Sequence, residues 1–369
     1  MEEIINNLNF LNENDKKILV TAHYNNMDCK ILQTMSIFSK QGCFKKIDEY
    51  DYFESLKDEE IFYLKDCYEI FVDKNKKILL PSRYFFSCDI NLFVNLIKTI
   101  LNLLNNINLN LENYKDIGSN IISIEKWFET FGHFKDEMYI LSDFHEKIRN
   151  ANNENFTCFN SYKYITENIN YDKDNYDQLS KFLFNKHVNA YSINENIIKM
   201  KNVKLIVHTM GPCYFHTFHS FPKCIRNKVY DKVEEELTKN NKITEKYKKI
   251  FITRNTALHL PRNLSNQKEI EEYLSSVGYF ILNPEDISLE EFINIVRYAE
   301  YVFITWGGAL VNMVYLQPNT NVKILKSKSY CNEDISLFQK IIDTYELNVK
   351  IIECNEENII NISKLNENL

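Results

Sequence analysis

Short apolar runs that alternate with amphipathic stretches constrain the fold of this chain more than any other feature. The alternation covers residues 250 to 252, 266 to 277, 279 to 282, 289 to 299, 301 to 305 and 309 to 316. The runs have the length of buried strands, and the stretches repeat apolar residues at helical spacing. This βαβαβα order predicts a parallel sheet covered by helices.

One of the stretches carries the signature of a helix N-terminus. Ser288 precedes Glu291 by three residues, the spacing of a capping box in which each side chain binds the other residue's backbone N–H. The stripe predicted to face the core consists of Phe292, Ile295, Val296 and Ala299. Beyond this region we predict strands at 321 to 325 and 349 to 352, and helices at 334 to 345 and 356 to 369.

The ends of the predicted strands carry residues suited to a phosphate. Ligands of parallel sheets bind at the carboxyl ends of the strands, where Arg254 ends the first run and Gly307 and Gly308 end the third. A glycine pair lets the backbone and a helix N-terminus approach an anion, and Arg254 and Arg262 can each bind a diphosphate bidentately. The alternative is a simple tight turn with surface ion pairs, because the pattern is neither a Walker loop nor GxGxxG.

The same residues resemble the C-terminal half of glycosyltransferase family 61. That family includes xylosyl-, arabinosyl- and O-linked N-acetylglucosaminyltransferases of eukaryotes and capsular polysaccharide biosynthesis proteins of bacteria. Its pattern is an arginine at a strand end, a second arginine before an asparagine, a Pro-Glu turn and a His-Gly-Ala-x-Leu-Thr-Asn motif. Here Arg254, Arg262, Asn266, the turn at 284 to 285 and the motif at 306 to 312 follow that order. In the motif, Trp306, Gly308 and Val311 replace the family's histidine, alanine and threonine.

The resemblance implies an α/β protein of the GT-B type, in which two Rossmann-type domains face a cleft. We expect an N-terminal acceptor-side domain at residues 1 to 202 and a C-terminal nucleotide-sugar-binding domain at 203 to 369. The residues that the resemblance places at the donor are Arg254, Arg262, Asn266, Trp306, Gly307, Gly308, Ala309, Leu310 and Asn312.

A second motif resembles the N-terminal half of the same family. The family has patterns similar to Gly-His-Phe-x-x-Glu at the start of a helix, and His133 and Glu137 match them in GHFKDE. Their i, i+4 spacing puts both on one helix face. An inverting transfer needs a base for the acceptor hydroxyl, so Glu137 is the candidate base, and Glu129 the second choice. Without the resemblance, Glu137 would be a solvated helix charge.

These residues together predict an inverting, metal-independent glycosyltransferase. It would move a sugar from a nucleotide sugar, expected to be UDP-linked, to a hydroxyl of a glycan or glycoprotein, with no cofactor beyond that substrate. Because Trp306 replaces the family's histidine, a catalytically inactive sugar-nucleotide-binding or glycan-binding protein of the same fold is an alternative. A GT-B-like nucleotide-sugar epimerase is a third reading.

Two other groups of residues are candidate metal ligands. Asp172 and Asp174 form a DxD in an Asn-rich segment, where an acidic turn needs no metal. Cys213, His216, His219 and Cys224 offer an N2S2 set for zinc, but their spacing matches no familiar knuckle and phenylalanines interleave with them. We therefore predict no metal site.

Composition limits the partners and the compartment. The net charge of −7 with no basic stripe argues against a nucleic-acid partner. The nine cysteines include no CxxC pair, which predicts reduced thiols. The N-terminus is acidic and lacks an apolar core, which predicts that there is no signal peptide. Together these observations predict a cytoplasmic location, in the host cytoplasm or the virion if the gene is viral. The apolar residues 92 to 104 are too few to span a membrane, so we expect a soluble protein in which they form a core helix. Residues 17 to 20, 68 to 72 and 78 to 80 are predicted strands.

Overall fold

The computed structural model describes most of the chain as two compact units. The described residues are 2–24, 35, 44–48, 50–64, 67, 70–80, 90–109, 114–124, 131–160, 179, 183–184, 188–190, 197–206, 223–240, 246–253, 264–328 and 335–366. Unit 1 comprises residues 1 to 129, 141 to 165 and 186 to 215, and unit 2 comprises 130 to 140, 166 to 185 and 216 to 369.

Unit 1 is built on a mixed sheet. Its strands are β1 (Phe44–Ile47), β2 (Tyr50–Glu54), β3 (Glu60–Leu64), β4 (Ile70–Asp73), β5 (Ile78–Leu80), β6 (Lys115–Ile124), β7 (Thr157–Asn160), β8 (Val188–Ala190) and β9 (Ile197–Ile206). They run in the order β5-β4-β3-β9-β6-β7-β8, and β2 joins β9 and β1. Pairing is parallel from β9 through β6 and β7 to β8 and antiparallel elsewhere among these strands. The predicted boundary between residues 202 and 203 falls within β9.

The helices of unit 1 bury one face of this sheet. They are α1 (Glu2–Asn6), α2 (Glu13–Tyr24) and α3 (Ile90–Asn106), followed by α4 (Phe131–Asn152), whose residues from 141 onward belong to this unit. Ile97 and Ile100 of α3 pack in one core cluster with Phe62 of β3 and Val72 of β4. The predicted core helix is therefore confirmed, as are the predicted strands that became β4 and β5.

The strand predicted at residues 17 to 20 is wrong, because these residues lie inside α2. Oδ1 of Asn12 accepts a hydrogen bond of 2.8 Å from the backbone N–H of Asp15, which caps the start of the helix. Leu19 is buried with Leu8 and Leu11 in the cluster that α3 also joins. Packing on the helical face therefore outweighs the short apolar run as a strand signal.

Unit 2 is built on a parallel sheet. The described strands are β10 (Lys249–Ile252), β11 (Phe280–Leu282), β12 (Tyr301–Thr305), β13 (Asn321–Lys326) and β14 (Asn348–Glu353). They run in the order β11-β10-β12-β13-β14, and all of these pairs are parallel. This confirms the α/β class and the predicted parallel strands with α-helices after β10 and β11, but not the last α-helix of the predicted order.

Helices α5 (Lys223–Lys239), α6 (Gln267–Ser276), α7 (Leu289–Val296), α8 (Gln339–Thr344) and α9 (Ile362–Asn366) belong to unit 2. Ile270 and Leu274 of α6 and Leu365 of α9 pack with Phe251 of β10 and Phe303 of β12 in one core cluster. Ile250, Val302 and Ile304, which alternate with these phenylalanines, are also buried, so β10 and β12 are covered on both faces.

The capping box of α7 is confirmed. The Ser288 hydroxyl accepts from the Glu291 backbone N–H at 3.3 Å, and the Glu291 carboxylate accepts from the Ser288 N–H at 3.4 Å. The predicted stripe is buried throughout, although α7 ends at Val296 and Ala299 lies in the following turn.

Three helix predictions in unit 2 need correction. Residues 309 to 316 do not form an α-helix, because a 3₁₀ helix occupies Gly308–Tyr315. Residues 334 to 345 divide into a 3₁₀ turn at Ile335–Phe338 and α8, and the terminal helix is confined to α9. A 3₁₀ helix rises about 2.0 Å per residue, so the segment after β12 is longer and narrower than the α-helix that was predicted.

Within the described part of the chain, no helix combines the length and hydrophobicity needed to cross a bilayer.

Candidate active site

The carboxyl edge of the unit 2 sheet is where the sequence predicts the donor. β10 ends at Ile252 and β12 at Thr305, and the register pairs Ile252 with Ile304. The next residues along the two strands, Thr253 and Thr305, therefore lie beside each other at this edge. Arg254 and Arg262, the two arginines predicted to bind the diphosphate, lie outside the described residues.

Gly307 is required by its backbone conformation. Its φ of +116° and ψ of −152° lie in a region that is open to glycine but strained for residues with a side chain. The 3₁₀ helix begins immediately after it, and Leu310 N–H donates to the Gly307 carbonyl at 2.9 Å. Gly308 does not share the constraint, because a Cβ built on it would meet nothing within 4 Å. The two glycines therefore do different things: one makes the turn, and the other leaves open space beside it.

Trp306 lies in the core of unit 2. It is 1% exposed, its N–H donates to the Leu325 carbonyl at 2.9 Å, and its ring meets Phe338 edge to face at 6.2 Å. Nζ of Lys326 lies 4.8 Å from the ring centroid. The residue at the position of the family's histidine is therefore an internal packing residue that holds β12 against β13.

The other motif residues lie in the 3₁₀ helix. Leu310 and Asn312 are buried, and Ala309 is half-buried. Two side chains of α5 bind carbonyls at the end of this helix: the Tyr230 hydroxyl donates to the carbonyl of Tyr315, its last residue, and Arg226 donates to the carbonyl of Leu316, the next residue, at 3.0 Å. A guanidinium at this end also suits the negative end of a helix dipole.

Asn266 connects α6 to the chain that leads into α9. Nδ2 donates to the Ile360 carbonyl at 2.9 Å and to the Glu269 carboxylate at 3.0 Å, and Oδ1 accepts from the Ile360 N–H at 3.1 Å. These contacts explain why an asparagine is needed at this position. Its predicted contact with a donor stays a prediction.

A polar network at the same edge was not foreseen from the sequence. The Thr253 hydroxyl donates to the Glu271 carboxylate, and Nε2 of Gln267 donates to Thr253 Oγ1 at 2.8 Å and to Glu271 Oε1 at 3.0 Å. Thr253 and Gln267 are buried, and Glu271 is half-buried. The only signal in the sequence was the i, i+4 spacing of Gln267 and Glu271 on the helix that follows β10.

The beginning of α4 carries the predicted base. Residues 133 and 137 are both helical, so their i, i+4 spacing puts them on one helix face, but the description of side chains begins only at Met138. Two residues after Glu137, the buried ring of Tyr139 meets Tyr315 edge to face at 6.4 Å, within unit 2. This contact places Tyr139 of α4 beside the end of the 3₁₀ helix that follows Gly307.

The remaining candidates lie outside the described residues. They are Glu129, Asp172, Asp174, Cys213, His216, His219 and Cys224. Where the chain is described, His, Cys, Asp and Glu residues form no group of three or more that could hold a metal ion. Cys67, Cys158 and Cys354 are not in disulfide bonds.

Comparison with protein-family models gives a match over residues 131 to 323, to the family described as Glycosyltransferase 61. The match covers just over half of the 369-residue chain and contains the helix with Glu137, the glycine turn and the polar network. Comparison with curated proteins gives no match. The suspected resemblance is thereby confirmed, and the chain belongs to glycosyltransferase family 61.

Proposed function

We propose that this chain is an inverting, metal-independent glycosyltransferase of the GT-B type that transfers a sugar from a nucleotide sugar to a hydroxyl of a glycan or glycoprotein. The observation that carries the proposal is the carboxyl edge of the parallel sheet in unit 2. There a glycine in a conformation strained for other residues, Gly307, opens a 3₁₀ helix inside the segment that matches the family.

The donor's diphosphate would lie beside Gly307 and Gly308. Backbone N–H groups at the start of a helix attract anions, and the open space at Gly308 leaves room for a phosphate. Arg254 and Arg262 would stabilise the negative charge that develops on the leaving diphosphate, which is the role that a divalent ion has in metal-dependent enzymes. We propose a UDP-linked donor because the resemblance favours it.

Glu137 would remove the proton from the acceptor hydroxyl as its oxygen attacks the anomeric carbon. Support comes from the resemblance of GHFKDE to the family's pattern and from the family match, which begins at residue 131 and includes Glu137. His133, one turn earlier on the same face, would orient the acceptor or the carboxylate.

Trp306 supports a second candidate, a catalytically inactive protein that binds a nucleotide sugar or glycan. Trp306 is 1% exposed, and an indole N–H donates a hydrogen bond but cannot accept one or take up a proton as an imidazole can. Under this alternative the nucleotide still binds at Gly307, but no sugar is transferred. The nucleotide-sugar epimerase predicted as a third reading has no observation in its favour.

Binding comes first in the test. Purified protein and Arg254→Ala are titrated with UDP, GDP and CMP and with the corresponding nucleotide sugars, by thermal shift and ligand-detected NMR. One nucleotide class should bind to the wild type and lose at least tenfold in affinity in Arg254→Ala. Absence of any binding, or equal binding by the variant, would contradict the donor site.

Transfer is the second stage, with the bound nucleotide sugar and a panel of glycan and glycoprotein acceptors in the presence of EDTA. We expect acceptor-dependent nucleotide release, product of inverted anomeric configuration, and a loss of at least 100-fold in kcat in Glu137→Gln. Asp136→Asn is the matched control, because residue 136 is about 100° around the helix from residue 137. Binding without transfer to any acceptor would favour the inactive alternative.

The cytoplasmic location and the absence of a nucleic-acid partner are part of the proposal. They rest on the cysteine pattern and on the net charge of −7. Cell fractionation and a filter-binding assay with DNA and RNA test them.

A further inference from the structure

The hydroxyl of Thr305 is buried at the carboxyl edge of the parallel sheet. Thr305 is 6% exposed, and among the described residues its Oγ1 has no hydrogen-bond partner. A buried hydroxyl without a partner destabilises the folded protein, so native structures rarely keep one without a reason. The last residue of β12, one position before the Trp-Gly-Gly turn, is where a parallel sheet binds its ligand.

Thr305 faces the same side of the sheet as the network of Thr253, Gln267 and Glu271. Adjacent strands are about 4.8 Å apart, and residues in register share a face, so the side chains of Thr253 and Thr305 are neighbours. Glu271 accepts both of its described hydrogen bonds, from Thr253 and Gln267, at Oε1. Its other oxygen, Oε2, has no partner among the described residues, so a carboxylate oxygen and a buried hydroxyl both have unused hydrogen-bonding capacity at this edge.

The charge of Glu271 restricts the ligand group. A carboxylate repels phosphate but accepts hydrogen bonds from hydroxyls, and in dinucleotide-binding folds a carboxylate binds the ribose; here the carboxylate lies on α6, beside the end of β10. The diphosphate, by contrast, suits the glycine turn after β12. The carboxyl ends of β10 and β12 are separated by one strand spacing, about 4.8 Å. This agrees with the short distance between the ribose hydroxyls of a nucleotide and its diphosphate.

We propose that Glu271 and Thr305 bind the ribose hydroxyls of the nucleotide donor, with Thr253 and Gln267 positioning the carboxylate. The inference rests on the proposed function and deepens it. It orients the donor, with the nucleoside over β10 and α6 and the diphosphate over β12. It also predicts that the protein distinguishes ribonucleotides from deoxyribonucleotides.

Calorimetric titration tests the proposal. The probes are UDP, GDP, CDP and ADP, followed by the 2′-deoxy and 3′-deoxy forms of whichever one binds. Wild type should bind at least one deoxy form about tenfold or more weakly, the usual effect of losing a hydrogen bond to a charged group. In Glu271→Gln the ribonucleotide should bind about tenfold more weakly, and the preference for ribose should disappear. Glu272→Gln, the same change at the exposed neighbouring residue, should behave as wild type.

Thr305→Val separates binding from folding. Valine has the shape of threonine without its hydroxyl, so the melting temperature should stay the same or rise, because a buried unpartnered group is removed. Nucleotide affinity should nevertheless fall about 2- to 10-fold. A merely structural Thr305 would instead lose stability and keep its affinity.

Two failures are distinguishable. If wild type binds none of the four nucleoside diphosphates and neither CMP nor any of the nucleotide sugars, the proposed function is wrong. The second failure concerns the ribose assignment alone. Wild type would bind one of the nucleotides and Arg254→Ala would not, which supports the donor site, but Glu271→Gln would keep both the wild-type affinity and the preference for ribose, which overturns the ribose assignment.

Discussion

Asn266 and Ile360 are joined by two hydrogen bonds of opposite direction across 94 residues of sequence. Nδ2 of Asn266 donates to the Ile360 carbonyl at 2.9 Å, and Oδ1 accepts from the Ile360 N–H at 3.1 Å. Ile360 is fully buried in the core cluster that also contains Leu365 of α9. The residue just before α6 therefore holds the C-terminal part of unit 2 on the sheet.

Asn266→Ala should therefore destabilise the protein whether or not a nucleotide is bound. Removing the amide leaves the backbone N–H and C=O of a buried residue without partners, at a cost of about 1–3 kcal/mol in the free energy of unfolding. Urea unfolding measures the change. Asn266→Asp should also destabilise the protein, because its second carboxylate oxygen would face the Ile360 carbonyl and the Glu269 carboxylate, to which Nδ2 of Asn266 donates. If Asn266→Ala unfolds at the wild-type urea midpoint but binds nucleotide poorly, the residue serves the ligand rather than the fold.

Gly307→Ala should be far more destabilising than Gly308→Ala. A side chain at φ +116° and ψ −152° is strained, at a cost of about 1–3 kcal/mol, whereas a Cβ on Gly308 meets no atom within 4 Å. Thermal unfolding of the two variants side by side is the measurement. Equal melting temperatures for both would show that the turn relaxes to another conformation.

Trp306→Ala should lower the free energy of unfolding by about 3–5 kcal/mol, the usual cost of emptying a buried tryptophan site. Trp306→His, which restores the family's residue, should also destabilise the protein. The smaller imidazole ring leaves a cavity against Phe338, and burying its polar nitrogens without hydrogen bonds costs free energy. Denaturant titration gives both values. A Trp306→His protein as stable as wild type, with raised transfer activity, would instead show that tryptophan replaced a catalytic histidine without a structural need.

Glu54 should make unit 1 sensitive to acid. Burial alone would raise the pKa of this carboxyl, but hydrogen bonds from Lys204 and Lys45 hold it below its ordinary value. A depressed pKa adds stability that is present above the unfolded-state pKa, about 4.3, and is lost as the pH falls through the lower folded-state value.

Glu54→Gln tests that pH dependence. At pH 7 it leaves Lys204, which is 7% exposed, without its carboxylate, and should cost about 1–3 kcal/mol. The difference from wild type should shrink as the pH falls below about 4. Glu13→Gln, at a side chain that is 82% exposed, is the control and should leave the stability close to that of wild type at every pH. A Glu54→Gln effect that stays constant from pH 7 to pH 3 would contradict the pairing.

Much of unit 2 was predictable because its signals are local. Buried parallel strands are continuous apolar runs, and the Ser288–Glu291 box and the glycine after β12 follow from contacts or dihedral angles within a few residues. Unit 1 was not predictable in the same way. Its long strand β9 pairs with β3, some 140 residues earlier, and with β6, and neither partner contains a distinctive motif.

The same distinction between local and long-range contacts applies to the candidate site. Sequence alone determined the chain's family, the run of strands and helices in unit 2 and the glycine that turns the chain at the sheet edge, because each depends on residue types at fixed short spacing. Only the tertiary structure decided that Trp306 is a packing residue, that Asn266 binds Ile360 and that Thr305 and Glu271 share one face of the sheet. Those relationships depend on which distant segments pack together, and burial then decides whether a polar side chain has a partner within the protein or is left for a ligand.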